Sequence, residues 1–322
     1  MKGRLSGFLQ SKFNVTLCLV MGWRWARRYL DLLGTLYFLV RWKEKDRIGS
    51  NIGTVFASGN GGPALRRLRK AILGGIVTHY YEKLFNAYCS DDDSHRFFSS
   101  CVADDGLRAV REARVQQRGV LLVTGHYGGV EFLPGYLGAQ GIPVSIVVRF
   151  ASGRLRHLSR NKGARFQIRV IDADRTPNVF FAICRHLKEN RVVITQCDEI
   201  DEWRPNREKT RISFLGRRAA PDRALNLLAH RARCPVVFGV MHRETDSRYR
   251  FIARQAAEMP DSGRRTIGEA SLKFVEAFVY RHPQQWYQWA KLPVIEEAVE
   301  TGPMPRWSAP LPALASSPAK AT

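Results

Sequence analysis

The sequence lacks the cysteine patterns that bind zinc or build a disulfide framework. The six cysteines are Cys18, Cys89, Cys101, Cys184, Cys197 and Cys234. None forms a C-x-x-C pair, and none lies near a histidine at zinc-ligand spacing. We therefore expect reduced thiols in a cytosolic compartment, and we expect neither a metal site nor a cofactor held by these residues.

Long hydrophobic runs are also missing. Residues 13–23 and 29–40 are apolar, but each run is well short of the roughly 20 residues that a spanning helix needs. No A-x-A site follows them, which argues against a cleavable signal. The segment from Trp23 to Trp42 is apolar on one side and is flanked by tryptophan and arginine, which is typical of a helix in a membrane interface. An ordinary core helix and a single tilted span over residues 13–40 are the alternatives.

Acidic residues are scarce relative to basic ones. The chain has 29 Asp and Glu against 51 Lys and Arg, a formal net charge of +22. Such a field attracts nucleic acid, anionic lipid or an acidic carrier protein. The arginines are spread through the chain, which favours a broad basic face, and no recognisable nucleic-acid module is present.

Short apolar strands alternate with helices from residue 104 onward, which predicts an α/β fold with a mostly parallel or mixed central sheet flanked by helices. Strands are expected at residues 120–124, 144–148, 167–171, 191–195, 211–214, 235–241 and 249–253. Helices are expected at residues 64–90, 105–117, 129–140, 154–163, 177–189, 221–232 and 264–281.

The composition predicts three parts of the chain. Residues 1–45 form an apolar, membrane-associating segment, residues 46–295 a single α/β domain, and residues 296–322 a disordered tail rich in proline and alanine. The glycines of residues 49–63 predict a loop.

The strongest local signal is a buried strand that runs into Gly125-His126-Tyr127-Gly128-Gly129 and then into a helix carrying Glu131. Sites in α/β sheets form at the carboxyl ends of strands. A neutral His126 there could take a proton from an attacking hydroxyl, and Glu131 could hold its second ring nitrogen. Gly128 and Gly129 would let substrate approach free N–H groups at a helix N-terminus.

Other catalytic patterns are absent or weaker. There is no G-x-S-x-G elbow and no H-E-x-x-H motif. The acidic run over residues 197–202 is more typical of a solvated loop than of a divalent metal site. Arg149 follows a strand at the carboxyl edge of the sheet, and neighbouring segments add further positive charge. Those additional cations are Arg160, Lys162, Arg165, Arg217 and Arg218. As a set, they indicate an anionic substrate.

The block His126-Tyr127-Gly128-Gly129-Val130-Glu131 resembles the H-x4-D/E block of glycerolipid and lipid A acyltransferases. The order of later blocks over roughly residues 20–295 resembles the lauroyl/myristoyl branch of lipid A biosynthesis acyltransferases. Those blocks are Val147-Val148-Arg149, residues 187–194 leading to Asp198, residues 214–220, Cys234-Pro235-Val236-Val237 and residues 282–289.

The resemblance implies an enzyme of lipopolysaccharide synthesis at the cytoplasmic face of the inner membrane, held peripherally or by one N-terminal span. It would transfer an acyl chain from acyl carrier protein or acyl-CoA to a hydroxyl of an anionic lipid or glycolipid. By resemblance, His126 is the general base and Glu131 supports it. Arg149 and Asp198 are further candidate site residues. We predict neither a metal site nor a nucleic-acid partner, and no specific oligomer.

Two segments depart from the family pattern. Residues 199–205 differ from a short Asp-Tyr-Gly-type loop, and Pro221-Asp222-Arg223 stands where many relatives have a small turn that contains glycine. The acceptor therefore stays open among another glycolipid, an aminolipid and a lysophospholipid. A basic protein that binds nucleic acid or anionic surfaces without catalysis, and a thioesterase, are the alternative functions.

Overall fold

The computed structural model describes residues 5–56, 62–150, 153–199, 212–219, 221–259 and 263–292. The helices are α1 Leu5–Leu9, α2 Lys12–Met21, α3 Trp23–Val40, α4 Trp42–Phe56, α5 Pro63–Tyr88, α6 Asp91–Cys101, α7 Leu107–Arg114, α8 Leu133–Ala139, α9 Gly153–Arg165, α10 Val179–Lys188, α11 Arg223–Ala232 and α12 Ile267–Arg281. The strands are β1 Val102–Asp105, β2 Val120–Thr124, β3 Val144–Val148, β4 Ile168–Asp172, β5 Val192–Gln196, β6 Ile212–Phe214, β7 Arg217–Ala219, β8 Val236–Arg243 and β9 Tyr249–Gln255.

Seven strands form one mixed sheet in the order β1-β9-β8-β2-β5-β3-β4. All neighbouring pairs are parallel except β8 and β9, which are antiparallel. Parallel neighbours need long crossovers, and helices supply them, as the alternating pattern of the sequence predicts. The predicted α/β class with a mixed central sheet is confirmed.

Strand β2 is buried on both faces and divides the core into two layers. Leu121 and Val123 pack into the core beneath the N-terminal helices, α5 and α12, whereas Val120 and Leu122 pack into the core beneath α7 and α8. A continuous apolar run with side chains alternating between two covered faces is what a central parallel strand requires. The end of β2 therefore emerges from between the two layers of the core.

The N-terminal helices present two different sides. On α3, Ala26 and Leu30 are fully buried, while Trp25 is 57%, Leu32 58% and Leu39 63% exposed. Spacings of seven residues keep these exposed side chains on one face of the helix. Within the described residues, no helix combines the length and apolarity needed to cross a membrane.

Residues 49–56 are helical, so the predicted loop over residues 49–63 is wrong for that part; residues 57–61 lie outside the described residues. Ile48, Asn51 and Ile52 are buried on one side of α4, and the Asn51 amide donates to the Trp289 carbonyl oxygen at 2.8 Å. Two glycines lower helix propensity by about 1 kcal/mol each, and this packing outweighs them. The predicted boundary at residue 45 falls within α4, and the predicted tail lies outside the described residues.

Candidate active site

Two side chains meet because adjacent parallel strands end at the same level. Strand β2 ends at Thr124 and its neighbour β5 ends at Gln196, and these two residues are in register. His126 and Asp198 each follow two residues later. The topology therefore brings together residues that lie 72 positions apart in the chain.

Asp198 holds His126 at two points. Its Oδ1 lies 2.7 Å from His126 Nδ1, and its Oδ2 accepts the His126 backbone N–H at 2.8 Å. Trp286 Nε1 donates to the same Oδ2 at 2.7 Å. Burial acts to raise the pKa of Asp198, but the neighbouring His126 and these donors outweigh it and hold that pKa below its ordinary value.

The ionised Asp198 determines which ring nitrogen of His126 is reactive. An ionised carboxylate can only accept, so Nδ1 carries the proton and Nε2 has a free lone pair in the neutral ring. His126 lines a cleft, and Glu199 Oε1 lies 3.6 Å from Nε2. A buried carboxylate behind an imidazole is the arrangement that orients a general base.

The structure gives Glu131 different neighbours from those that the sequence predicted. Glu131 Oε1 lies 3.4 Å from Lys83 Nζ and 3.7 Å from His79 Nε2, and the Nδ1 of His126 is bonded to Asp198 instead. The sequence could not show this because Glu131 lies in a 3-10 turn, Val130–Phe132, and not in the regular helix that the pattern predicts. Glu131 still lines the cleft, and a catalytic role for it stays a prediction.

The sequence predicted free N–H groups for substrate at Gly128 and Gly129, but in the structure both N–H groups are already hydrogen-bonded. The Gly128 N–H donates to the Gln285 carbonyl oxygen at 2.9 Å and the Gly129 N–H to the Met241 carbonyl oxygen at 2.8 Å. Gly128 has φ +57°, and a Cβ there would lie 2.0 Å from the Met241 oxygen. These glycines therefore allow the loop to pack closely against β8 and the segment after α12.

An aromatic stack lies beside His126. The rings of His79 and Tyr287 are stacked with centroids 3.5 Å apart, and the Tyr287 ring meets the His126 ring edge-on at 5.2 Å. The Tyr287 N–H also donates to the His126 carbonyl oxygen at 3.2 Å. Burial lowers the pKa of His79 well below its ordinary value, and the nearby Lys83 and His126 add to this effect, so His79 is neutral.

The cleft in front of His126 has a volume of about 1640 Å³, larger than the roughly 300–1,000 Å³ of typical small-molecule sites. Part of its wall is apolar. That wall includes Ile146, Phe166, Ile168, Ile183, Ile194 and Leu228. Basic side chains also line the cleft. They include Arg47, Lys83, Arg149, Lys162, Arg223 and Lys291. The cleft can therefore receive a molecule with a long apolar part and an anionic part.

The predicted arginines occupy different places. Arg149 lines the cleft, and its Nε lies 3.1 Å from Asp174 Oδ1. Arg160 lies 3.8 Å from the buried Asp172 and is not among the described cleft residues. Arg217 lies on β7 and donates to the Thr54 hydroxyl, away from the described cleft wall. Of the three, Arg149 alone is placed to meet a ligand near His126.

No group of three His, Cys, Asp or Glu side chains among the described residues is arranged to hold a metal ion. Residues 200–202 of the acidic run lie outside the described residues. Cys197, at the start of that run, is a buried residue of the cleft wall, and burial raises the pKa of its thiol well above the ordinary value.

A mixed α/β sheet that presents an oriented histidine in an open cleft is typical of an enzyme's active site. The family model of bacterial lipid A biosynthesis acyltransferases matches residues 12–291, and the chain belongs to that family. It is therefore an acyltransferase of lipid A biosynthesis, which confirms the predicted resemblance and the prediction of an enzyme. No curated protein matches the chain.

Sequence reasoning missed several residues beside His126. Trp286 and Tyr287 fall in a block that carried the resemblance, but nothing in their spacing assigned them a contact with the base. His79 and Lys83 lie one helical turn apart on α5, a periodicity that only marks one helix face. Their place at the site depends on how α5 packs against the end of the sheet.

Proposed function

We propose that this chain is a membrane-associated O-acyltransferase that transfers a fatty acyl chain from an acyl thioester to a hydroxyl of a lipid or glycolipid. The single observation that carries this proposal is His126, held through Nδ1 by Asp198 with Nε2 facing the cleft. The donor is acyl carrier protein or coenzyme A charged with the acyl chain. Family membership supports the general reaction, and the site geometry supports the role of the base.

In the proposed reaction, His126 Nε2 takes the proton of the acceptor hydroxyl as its oxygen bonds to the thioester carbonyl carbon. The carbonyl electron pair moves to the carbonyl oxygen. The tetrahedral adduct then collapses, the C–S bond breaks, and the thiolate receives the proton from Nε2. Asp198 stabilises the imidazolium that forms between these two transfers.

The size and lining of the cleft support a two-substrate reaction. A volume of about 1640 Å³ exceeds that of a site for one small ligand. The apolar wall suits an acyl chain, because its burial is favoured by about 0.8 kcal/mol per CH₂ group. Lys83, Arg149 and Lys291 suit phosphates of an anionic lipid or of the donor's phosphopantetheine arm.

The exposed face of the N-terminal helices supports association of the enzyme with a membrane surface. Most exposed large apolar side chains of the described residues lie between positions 8 and 42. Arg28 lies over the Trp25 ring at 4.8 Å and Lys43 over the Trp42 ring at 5.5 Å, which places cations beside interfacial aromatics. The net charge of +22 adds attraction to the anionic cytoplasmic leaflet of the inner membrane.

Lipid mass spectrometry tests the proposal. Total lipids of cells that carry the wild-type chain are compared with those of cells that carry an equal amount of the His126→Asn variant. A lipid that gains the mass of one acyl chain only with the wild type supports the proposal and names both acceptor and chain. Free fatty acid without an acylated lipid would instead indicate a thioesterase, and identical lipid profiles would contradict the proposal.

A further inference from the structure

Four backbone N–H groups of the loop that carries His126 donate to acceptors within the protein. The N–H groups of His126, Tyr127, Gly128 and Gly129 donate to Asp198 Oδ2 and to the carbonyl oxygens of Gly125, Gln285 and Met241. Acyl transfer builds negative charge on the carbonyl oxygen, and donors aimed at that oxygen are a large part of catalysis. These four groups cannot also donate to the thioester carbonyl oxygen, so the donor to that oxygen has to come from elsewhere in the cleft.

Tyr287 is the hydroxyl-bearing side chain in direct ring contact with the base. Its ring lies edge-on to His126 and is clamped on the other side by His79, with 12° between the stacked planes. It lines the cleft together with His126 and Glu131. A ring held by two neighbours and by its own backbone N–H is preorganised, because few rotamers remain open to it.

The hydroxyl of Tyr287 keeps its proton. Burial raises its pKa well above the ordinary value, and the carboxylates of Glu131 and Asp198 raise it further. A phenol in that state can donate a hydrogen bond but cannot act as a base. No hydrogen bond from this hydroxyl to another described residue occupies it.

We propose that Tyr287 is a further catalytic residue whose hydroxyl donates to the thioester carbonyl oxygen as that oxygen becomes an oxyanion. This assignment rests on the acyl transfer proposed above. The hydrogen bond forms as the acceptor oxygen attacks and the carbonyl electron pair moves to oxygen. It weakens when the pair returns and the thiolate leaves, so Tyr287 gains and loses no proton.

Lys83 is the competing donor in the same region. Its ammonium lies 3.4 Å from Glu131 and is about one-third exposed, whereas Tyr287 touches the base itself. The Glu131 carboxylate beside this ammonium offsets the positive field that Lys83 could offer an oxyanion. The geometry therefore favours Tyr287.

The Tyr287→Phe variant of the full-length enzyme tests the assignment, because it removes the hydroxyl and keeps the ring between His79 and His126. Initial rates are measured with an acyl thioester donor and lipid acceptor. We expect kcat to fall about 10²- to 10³-fold with KM for both substrates and the melting temperature unchanged. Tyr280→Phe, which removes a phenol outside the described cleft wall, is the matched control and should keep wild-type kcat.

Three other outcomes of the Tyr287→Phe experiment are possible. Wild-type kcat in Tyr287→Phe would overturn the assignment and leave the N–H groups of Val130 and Glu131 as the donors to test. A raised KM with unchanged kcat would also overturn it, because the hydroxyl would then bind the ground state. An inactive wild-type enzyme would count against the acyl transfer proposal, not against Tyr287 in particular.

Discussion

His126 and Asp198 stand at equal offsets beyond two adjacent parallel strands and are joined by a 2.7 Å contact between Nδ1 and Oδ1. The carboxylate is fully enclosed and the imidazole opens toward the cleft. The fold therefore fixes both the orientation and the tautomer of the His126 ring.

Replacing Asp198 by asparagine should lower kcat about 10³- to 10⁴-fold, because the amide can hold the ring in the wrong tautomer and cannot stabilise the imidazolium. Steady-state kinetics of the purified variant measure this. Asp105→Asn, which breaks the 3.1 Å ion pair to Arg250 at the far edge of the sheet, is the control and should keep wild-type kcat. Equal activities of the two variants would remove Asp198 from the mechanism.

Trp286 and Trp289 form a matched pair of buried indoles. Trp286 donates to Asp198, whereas Trp289 donates to the Pro283 carbonyl oxygen at 2.9 Å. Both phenylalanine variants should lose stability, but Trp286→Phe should also lose about 10- to 100-fold in kcat, as expected for about 1.5–3 kcal/mol from a hydrogen bond to a charged group. Kinetics below each variant's melting temperature separate the two effects. Equal kcat values would show that Trp286 only fills space.

Glu131 contacts Lys83 and His79, so its replacement should act differently from that of Asp198. Glu131→Gln should lower kcat less than Asp198→Asn does, because it leaves the carboxylate at His126 Nδ1 in place. Steady-state kinetics of the two purified variants measure the difference. A loss in Glu131→Gln as large as that in Asp198→Asn would restore the role that the sequence predicted for Glu131.

Buried neutral histidines should make stability depend on pH. Burial lowers the pKa of His242 to about 4, and nearby His282 and Arg243 contribute, while the unfolded side chain titrates near 6.5. Between those values the unfolded chain binds a proton that the folded chain does not. Unfolding free energy should therefore fall as pH decreases from 6.5 toward 4, with a slope of about 1.4 kcal/mol per pH unit for each such histidine.

Urea unfolding across this pH range measures the slope. His79 has the same sign, because burial also lowers its pKa. His242→Gln should therefore reduce the slope by up to about 1.4 kcal/mol per pH unit, and the slope that His79 contributes should remain. The same slope in the variant and the wild type would mean that His242 titrates alike in both states.

The exposed face of α3 should bind lipid. Replacing Trp25, Leu32 and Leu39 together by serine should weaken sedimentation with anionic phospholipid vesicles, since each large apolar side chain contributes about 1.5–3 kcal/mol when fully buried. Val115→Ser, which removes an exposed apolar side chain outside the N-terminal helices, should have no effect. Equal vesicle binding by both variants would exclude α3 as the membrane contact.

The central sheet could be predicted because its strands are short apolar runs buried on both faces. Strands β2 and β3 begin and end where the pattern predicts. Strands β1 and β7 were missed because Val102–Asp105 and Arg217–Ala219 are short and at least half polar, so only pairing with a neighbour makes them strands.

The site was predicted in part for a similar reason. His126 follows a recognisable strand and glycine turn, so its position at the edge of the sheet could be inferred from local sequence. Its partner Asp198 could not be derived in this way, because the pairing of β2 with β5 is set by the tertiary fold and not by local sequence. The family resemblance made Asp198 a candidate site residue, but it did not show that Asp198, and not Glu131, contacts His126 Nδ1.

The most direct test of the account is the rate of acyl transfer by purified wild-type enzyme and by the His126→Asn variant, measured with the same donor and lipid. Asparagine keeps a polar side chain near Asp198 but has no group that can take the proton. We expect a folded variant with wild-type melting temperature and no acylated lipid above the uncatalysed background. Acylated lipid formed at the wild-type rate would contradict His126 as the base.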